Sequence, residues 1–210
     1  MQPIDVLPDI ALQPGTLLAD ALLTRGSTTF QAACRWVQAL PYGPNRASRR
    51  PMAIFEDGCG TCVAKHGTIA RLAVELGLPV FKNLGFYRLT DDIISGVGAL
   101  LEPYELAFVP ASHCFLEYGA HRIDLTAGNR TGKNCDLEVF DQVVRVAPDP
   151  APETLQHLHS GYFRACAVGD PRLAELGEAA VRELTQRAHH LALRRLARSA
   201  AVQGDVVALP

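Results

Sequence analysis

The pattern of apolar and polar positions is most regular between residues 62 and 80, where apolar side chains recur every three or four residues. This spacing is the period of an α-helix that buries one face. The apolar stripe comprises Ile69, Leu72, Ala73 and Leu76. A Leu-Gly-Leu-Pro run at 76–79 then supplies a glycine for the position after the helix and a proline beyond it. The sequence therefore predicts a buried helix that begins at Cys62.

A second pattern, strict alternation, runs through residues 112–126 on both sides of Gly119-Ala120. Alternation around a two-residue loop that begins with glycine predicts a β-hairpin. In that register Glu117 faces Arg122, which makes an opposite-charge pair across the two strands. One face of the hairpin is nearly all apolar and is expected to face the core, with Cys114, Leu116, Tyr118, Ile123 and Leu125. The other face carries His113, Phe115, Glu117, Arg122, Asp124 and Thr126.

The same two periods predict the remaining helices and strands. These are helices at 16–24 and 28–40, a strand at 80–89, a short helix within 90–101 with Thr90 or Asp91 as its N-cap, an extended segment at 104–110, a strand at 138–146 and helices at 153–168 and 171–201. Strands beside long amphipathic helices indicate an α+β fold in which the Cys62 helix packs on an antiparallel sheet. The helices after residue 150 are additions to that core.

The length of 210 residues fits one domain. We expect a core at about 28–146, an N-terminal arm with helices at 1–27, and a C-terminal helical extension at 151–203. The extension carries no pattern typical of chemistry. It is expected to clamp the core or to provide a homodimer surface.

Composition and charge exclude several classes of protein. Hydrophobic residues make up 48% of the chain and charged residues 20%, with a formal net charge of -2 at pH 7. With this net charge we expect no basic surface patch for nucleic acid and no electrostatic attraction to anionic lipid. The sequence contains no apolar run long enough to span a bilayer, and its beginning lacks the pattern of a secretion signal. We therefore expect a cytoplasmic protein that binds neither nucleic acid nor membrane.

The chemistry of Cys62 stands apart from that of the other five cysteines. The chain is long and rich in aliphatic residues, so it needs no disulfide framework. Cys34, Cys114 and Cys166 lie among apolar neighbours and are expected to be small buried residues. Cys62 instead opens a helix, where the positive end of the helix dipole lowers the pKa of a thiol. The pattern indicates a cysteine nucleophile.

An activated cysteine needs a base and a group that orients the base. The hairpin register makes His113 and Asp124 diagonal neighbours on one face, which suits those two roles. His66 is a rival base because it lies four residues after Cys62 on the same helix face. It has no evident carboxylate partner, so His113 is favoured and His66 is expected to have a supporting place in the pocket.

The Cys-x-x-Cys run formed by Cys59 and Cys62 has two other interpretations. A redox dithiol would open a helix after a strand, and the only candidate strand is at 51–55. A zinc site could combine both cysteines with His66 and a distant ligand such as His113 or Cys135. Neither pattern is complete, so we expect no metal and no cofactor. A reversible Cys59–Cys62 disulfide that silences the nucleophile is a further hypothesis.

Several motifs resemble the transglutaminase-like superfamily over roughly residues 28–146. Gly60-Thr61-Cys62 with a helix closing in Glu75-Leu76-Gly77-Leu78-Pro79-Val80 is similar to the nucleophile segment of that family. His113-Cys114-Phe115-Leu116-Glu117-Tyr118 resembles its histidine strand, and Arg122-Ile123-Asp124-Leu125-Thr126 resembles its aspartate strand. The Gly-Thr-Cys-x-x-Lys-His run resembles, more narrowly, uncharacterised bacterial members of the superfamily.

The resemblance implies a papain-like α+β core and thiol-dependent acyl transfer or hydrolysis at an amide. It implies Cys62 as nucleophile, His113 as base and Asp124 as orienting group, with an amide- or acyl-bearing peptide or small molecule as substrate. The backbone N–H of Cys62 is the first candidate oxyanion donor, Asn45 is the second, and Trp36 is a candidate for the family's supporting tryptophan. The alternative is a non-catalytic binding or scaffold protein on the same fold.

Overall fold

The structure is a computed structural model that describes residues 3–46, 50, 52–127 and 131–202, and only the helical backbone for 198–202. The helices are α1 Leu17–Leu23, α2 Phe30–Ala39, α3 Ala53–Asp57, α4 Cys62–Glu75, α5 Val97–Leu101, α6 Pro152–Gly169, α7 Pro171–Leu176 and α8 Glu178–Val202. Two short 3-10 helices lie at Ile4–Val6 and Glu102–Tyr104. No helix in these ranges combines the length and the apolar character that crossing a bilayer requires.

Four strands form one antiparallel sheet with the order β3-β2-β1-β4. The strands are β1 Val80–Leu89, β2 Val109–Tyr118, β3 His121–Ile123 and β4 Gln142–Val146. The α+β class expected from the sequence is therefore confirmed.

The chain divides into two compact units, each built from three segments. Unit 1 comprises Met1–Gly85, His113–Asn129 and Val143–Pro150, and unit 2 comprises Phe86–Ser112, Arg130–Gln142 and Ala151–Pro210. The predicted nucleophile, base and orienting carboxylate all lie in unit 1. The single-domain organisation expected from the sequence stays a prediction. The expected N-terminal arm starts at residue 1 and the expected C-terminal extension ends at residue 203, and residues 1–2 and 203 lie outside the described ranges.

The two N-terminal helices of unit 1 begin within two residues of the predicted positions. The hydroxyl of Thr16 accepts a hydrogen bond from Ala19 N–H, and that of Thr29 accepts one from Ala32 N–H, each at 3.2 Å. These are N-caps, which satisfy donors that a helix start leaves unpaired. Both helices pack against α4, so their caps also fix the wall against which the Cys62 helix lies.

The Cys62 helix, α4, has the predicted start and end. Gly77 has φ of 65°, the left-handed conformation that glycine adopts most easily. Its N–H donates to Val74 O at 3.1 Å, and the N–H of Leu78 donates to Ala73 O at 2.8 Å. This pair of bonds is a Schellman motif, which closes the helix. The helix is buried along almost its whole length, including Ile69, Leu72 and Ala73.

The hairpin register is also confirmed, including the predicted cross-strand pairing of Glu117 with Arg122. Glu117 pairs with Arg122 across β2 and β3, yet its carboxylate binds Arg145 on β4 and accepts a bond from Asn83 Nδ2 at 3.2 Å. Arg122 lies over the ring of Phe115, 5.5 Å from its centroid. The sheet order explains this choice, because β1 with Asn83 lies between β2 and β4.

Around His113 and Asp124 both faces of the hairpin are buried, although the sequence favoured only the apolar face as the core side. Leu116, Ile123 and Leu125 belong to the hydrophobic core as expected. His113 and Asp124 on the other face are also only 2% and 3% exposed. Polar groups tolerate such burial when each has a hydrogen-bond partner, and these two bind each other.

Two predicted elements differ in the structure. Of the candidate strand at 51–55 before the Cys-x-x-Cys run, residues 53–55 belong to helix α3 instead and residue 51 lies outside the described ranges. A short apolar run fits either type of element. The predicted helix at 171–201 breaks into α7 and α8 at Gly177, where φ is 83°. A positive φ cannot continue a right-handed helix, so the break is local.

Unit 2 contains its own helix cap and a partly buried polar contact. Helix α5 begins at Val97, later than Thr90 or Asp91, but Asp91 Oδ1 accepts from Gly96 N–H and Gly98 N–H at 2.8 Å each. The strand predicted at 138–146 is shorter and begins at Gln142. In the C-terminal helices, the hydroxyl of Tyr162 donates to Asp141 Oδ2 at 2.7 Å.

Lys65 is a buried cation inside α4, and this predicts a particular dependence of stability on pH. Its Nζ donates to Gln38 O at 3.1 Å and Leu40 O at 2.5 Å. Burial lowers the pKa of Lys65 to about 8, although the charges of Asp124 and Cys59 act in the opposite direction. Between this value and the unfolded pKa of about 10.4, unfolding takes up a proton. The contribution of Lys65 therefore makes the folded state more stable as pH rises through this window.

The expected result is a more positive slope of unfolding free energy against pH in the wild-type protein than in Lys65→Met, between pH 8 and pH 10. Urea denaturation at several pH values measures both slopes, and the remaining titratable groups are common to the two proteins. Equal slopes would show that the folded and unfolded proteins hold the Lys65 proton equally well.

Candidate active site

The loop before α4 is held in place by main-chain hydrogen bonds, and it positions Cys62 as the first residue of the helix. Gly60 N–H donates to Pro41 O at 3.0 Å, and Gly43 N–H donates to Gly60 O at 3.4 Å. A Cβ at Gly60 would lie 3.1 Å from two neighbouring side chains, which is closer than a Cβ tolerates without a shift. Close packing against Ile54 and Lys65 therefore favours glycine at position 60.

The side chain of Asn45 donates hydrogen bonds to the same loop. These bonds argue against its expected role as an oxyanion donor. Its Nδ2 donates to Cys59 O at 2.8 Å and to Asp57 Oδ2 at 3.2 Å. A primary amide has two N–H bonds, and both are engaged here. The backbone N–H of Cys62, at the N-terminus of α4, is left as the candidate for that role.

The thiol of Cys62 lies against β2. It is not part of a disulfide, is 9% exposed, and forms a side-chain hydrogen bond with Cys114, the residue next to His113. That hydrogen bond and burial raise the pKa of Cys114 well above its ordinary value. Cys114 therefore stays protonated, and its S–H can donate to a Cys62 thiolate. The sequence predicted only a small buried residue at Cys114, and nothing in the local pattern indicated this contact.

Asp124 is the centre of the polar cluster and receives three hydrogen bonds. His113 Nε2 donates to its Oδ2 at 2.7 Å, while Thr126 N–H and Thr126 Oγ1–H both donate to its Oδ1 at 2.7 Å. Burial by itself would raise the pKa of the Asp124 carboxyl, but His113, which donates a hydrogen bond to it, holds that pKa well below its usual range. Asp124 is therefore a carboxylate at neutral pH. Thr126 was placed on this face by alternation but was not given a role.

The bond to Asp124 decides which nitrogen of His113 can act as a base. A carboxylate only accepts hydrogen bonds, so Nε2 of His113 carries a hydrogen. The lone pair of the neutral ring is then on Nδ1. This is the arrangement of a general base that a carboxylate orients. The structure thus brings the predicted pair His113 and Asp124 together at hydrogen-bond distance.

His66 is bound to main-chain groups through both of its ring nitrogens. Its Nδ1 lies 2.7 Å from Cys62 O, and its Nε2 accepts the N–H of Leu125 at 2.8 Å. The same Nε2 lies 3.2 Å from Asp124 Oδ1, so the expectation that His66 has no carboxylate neighbour is wrong. Since a carbonyl only accepts and an amide N–H only donates, the hydrogen of the neutral ring is on Nδ1. With Nε2 occupied by Leu125, His66 has no lone pair for the thiol of Cys62 or for zinc. Its interpretation as the rival base is therefore not supported.

Two other predicted supporting residues have structural partners of their own. Cys59 Sγ donates to Pro44 O at 3.5 Å, and burial followed by the charge of Asp57 raises the pKa of its thiol. A reactive dithiol needs a lowered pKa, so this environment does not favour the redox interpretation. Trp36 stacks on Phe55 with ring centroids 5.2 Å apart, which is a packing contact within unit 1.

No protein-family model, curated protein or solved structure matches this chain. Its function therefore has to be inferred from its own residues. The cluster in unit 1 supplies a thiol at the N-terminus of a helix and a buried histidine bound to a carboxylate. Together these groups are suited to nucleophilic chemistry at a carbonyl carbon.

Proposed function

We propose that this protein is a thiol enzyme that transfers or hydrolyses acyl groups, with Cys62 as nucleophile, His113 as general base and Asp124 as orienting group. The observation that carries the proposal is the buried 2.7 Å bond between His113 Nε2 and Asp124 Oδ2. It is supported by the position of Cys62, which opens α4, because the ring of His66 on the same helix lies edge-on to that of His113 with centroids 6.0 Å apart. A papain-like core of the transglutaminase type is part of the proposal.

The proposed reaction begins with proton transfer from the Cys62 thiol to His113 Nδ1. The thiolate then adds to the carbonyl carbon of the substrate, and Asp124 stabilises the imidazolium that has formed. The oxyanion accepts a hydrogen bond from the Cys62 N–H at the helix N-terminus. His113 returns the proton to the leaving group, which departs and leaves a thioester on Cys62. Water or an amine then cleaves that thioester.

The substrate class follows from this chemistry as an amide or another activated acyl compound, peptide or small molecule. Hydrolysis is preferred over transfer to an amine by analogy with the resembled family. The proposed compartment is the cytoplasm, because the six cysteines, all within the described residues, form no disulfide with one another and a reducing environment keeps cysteines in that state.

The first experiment measures alkylation of Cys62 by iodoacetamide as a function of pH, with peptide mass spectrometry to identify the labelled cysteine. We expect Cys62 in the wild-type protein at pH 6 to react about tenfold or more faster than in the urea-unfolded chain. His113→Ala should remove this advantage. The matched control is His121→Ala, an exposed histidine on β3 of the same hairpin, which should retain it.

A second measurement distinguishes an enzyme from a binding or scaffold protein. p-Nitrophenyl acetate should acetylate Cys62 with release of p-nitrophenolate, and the acetyl group should then be lost to water in repeated turnovers. If Cys62 is alkylated with the pH dependence of an ordinary thiol and no turnover is seen, the result favours the non-catalytic alternative.

A further inference from the structure

We infer that His66 is a positioning residue. Its ring fixes the position of Cys62, at the start of α4, relative to the segment directly after β3 that carries Asp124. This inference rests on the proposed function, since it assigns His66 a role in the alignment of the same nucleophile. It assigns His66 no proton transfer. The role is carried by the two main-chain bonds of its ring.

The imidazole of His66 joins two segments that are far apart in sequence. On one side its Nδ1–H binds the carbonyl of Cys62, the first residue of α4, at 2.7 Å. On the other side its Nε2 accepts the N–H of Leu125 at 2.8 Å. Leu125 directly follows Asp124, so one rigid ring connects the residue of the nucleophile to the residue after the orienting carboxylate.

His66 Nε2 gives the N–H of Leu125 a hydrogen-bond acceptor beyond the end of the hairpin. Strand β3 ends at Ile123, and Leu125 is fully buried. Water cannot replace a lost partner readily at such a position. The ring of His66 is itself fully buried, so this contact is shielded from competition by solvent.

Asp124 is consequently held from two directions. Its carboxylate receives both donors of Thr126, and the following amide is held by His66. The ring of His66 also lies edge-on to that of His113, with centroids 6.0 Å apart. Loss of the His66 ring would therefore loosen Cys62, Asp124 and one side of His113 together.

Glutamine and asparagine can each replace one of the two hydrogen bonds of the His66 ring, so these two variants test the bonds separately. His66→Gln places an amide oxygen near the position of Nε2 and can accept from Leu125, whereas His66→Asn places an N–H near the position of Nδ1 and can donate to Cys62 O. Because each variant keeps one bond, each is expected to fold. The control is Ile69→Val, a fully buried change on the same helix that removes a methyl group and no hydrogen bond.

The test combines the iodoacetamide pH profile with p-nitrophenyl acetate kinetics on the full-length protein. We expect both His66 variants to lose about 10- to 100-fold in kcat, as misplaced reacting groups do. KM for the small ester should change little, and the limiting alkylation rate at high pH should match the wild type. Ile69→Val should keep the wild-type pH profile.

The outcomes separate this inference from the proposed function. If both His66 variants behave as wild type while His113→Ala loses the low-pH reactivity, the positioning role is overturned and the proposed function stands. If wild-type Cys62 reacts as an ordinary thiol, the proposed function fails and the positioning role fails with it. A further measurement needs no variant: ¹⁵N NMR of the imidazoles should show His66 with its hydrogen on Nδ1, and a hydrogen on Nε2 would overturn the inference alone.

Discussion

Replacement of Asp124 by asparagine is expected to slow acetylation of Cys62 by p-nitrophenyl acetate at pH 7 by about 10²–10⁴-fold. The variant keeps an oxygen that can accept both hydrogen bonds from Thr126, so the hairpin end should remain in place. Its amide nitrogen, however, donates to His113 Nε2, where the carboxylate accepts. The hydrogen of the His113 ring then moves to Nδ1, and the ring can no longer take the proton of the Cys62 thiol.

The control for this change is Asp141→Asn, the same substitution at a carboxylate that binds Tyr162 and Arg88 in unit 2. It should acetylate at the wild-type rate. At high pH, where the thiol ionises without a base, Asp124→Asn should recover much of its deficit. A variant that acetylates as fast as wild type at pH 7 would show that Asp124 supports the fold but does not orient a base.

The features that the sequence predicted correctly depend on residues close together along the chain. Helix α4 ends at a glycine with positive φ because a Schellman motif involves only the last turn and the two residues after it. The hairpin register follows from strict alternation around Gly119-Ala120, since a slip of one residue would reverse every side chain. Because Cys62, His113 and Asp124 were located by these local patterns, the bond between His113 and Asp124 could be predicted from the sequence alone.

The features that the sequence did not predict depend on strand order or tertiary packing. Glu117 binds Arg145 because β4 lies two strands away, and alternation within a hairpin contains no information about that order. The change from an expected strand to helix α3 has a similar origin, since neighbours in space decide the conformation of a short apolar run. Gly177 was placed inside a long apolar stripe, where periodicity alone does not show that its φ would be positive.

His66 and Cys114 show why the surroundings of the site were harder to predict than its central pair. The i,i+4 spacing from Cys62 was visible, and it suggested a rival base. The same spacing also places the imidazole beside the carbonyl of Cys62, which was a signal for a bond to the main chain. Its other partner, Leu125 N–H, becomes available only because β3 ends early. Cys114 lies next to His113 in sequence, but its contact with Cys62 depends on how α4 packs against β2.

Leu72→Ala is expected to lower the free energy of unfolding of unit 1 by about 2–5 kcal/mol. Leu72 is fully buried in α4, within the core that includes Phe30, Val37 and Leu116. Truncation removes apolar contacts and leaves a cavity, because the capped helices α1 and α2 that pack against α4 limit how far the core can close around it. The loss should appear as a lower midpoint of urea denaturation.

The matched control for Leu72→Ala is Val74→Ala, two residues further along α4 and 66% exposed. It should change the free energy of unfolding by no more than about 0.5 kcal/mol, and the higher helix propensity of alanine favours the stabilising direction. Hydrogen exchange of α4 amides would locate the effect, since a loss in unit 1 should accelerate exchange there in Leu72→Ala alone. Equal losses in the two variants would mean that α4 does not bury the Leu72 face. That outcome would also remove the physical basis for a fixed position of Cys62, because the helix that presents the thiol is held in place by this face.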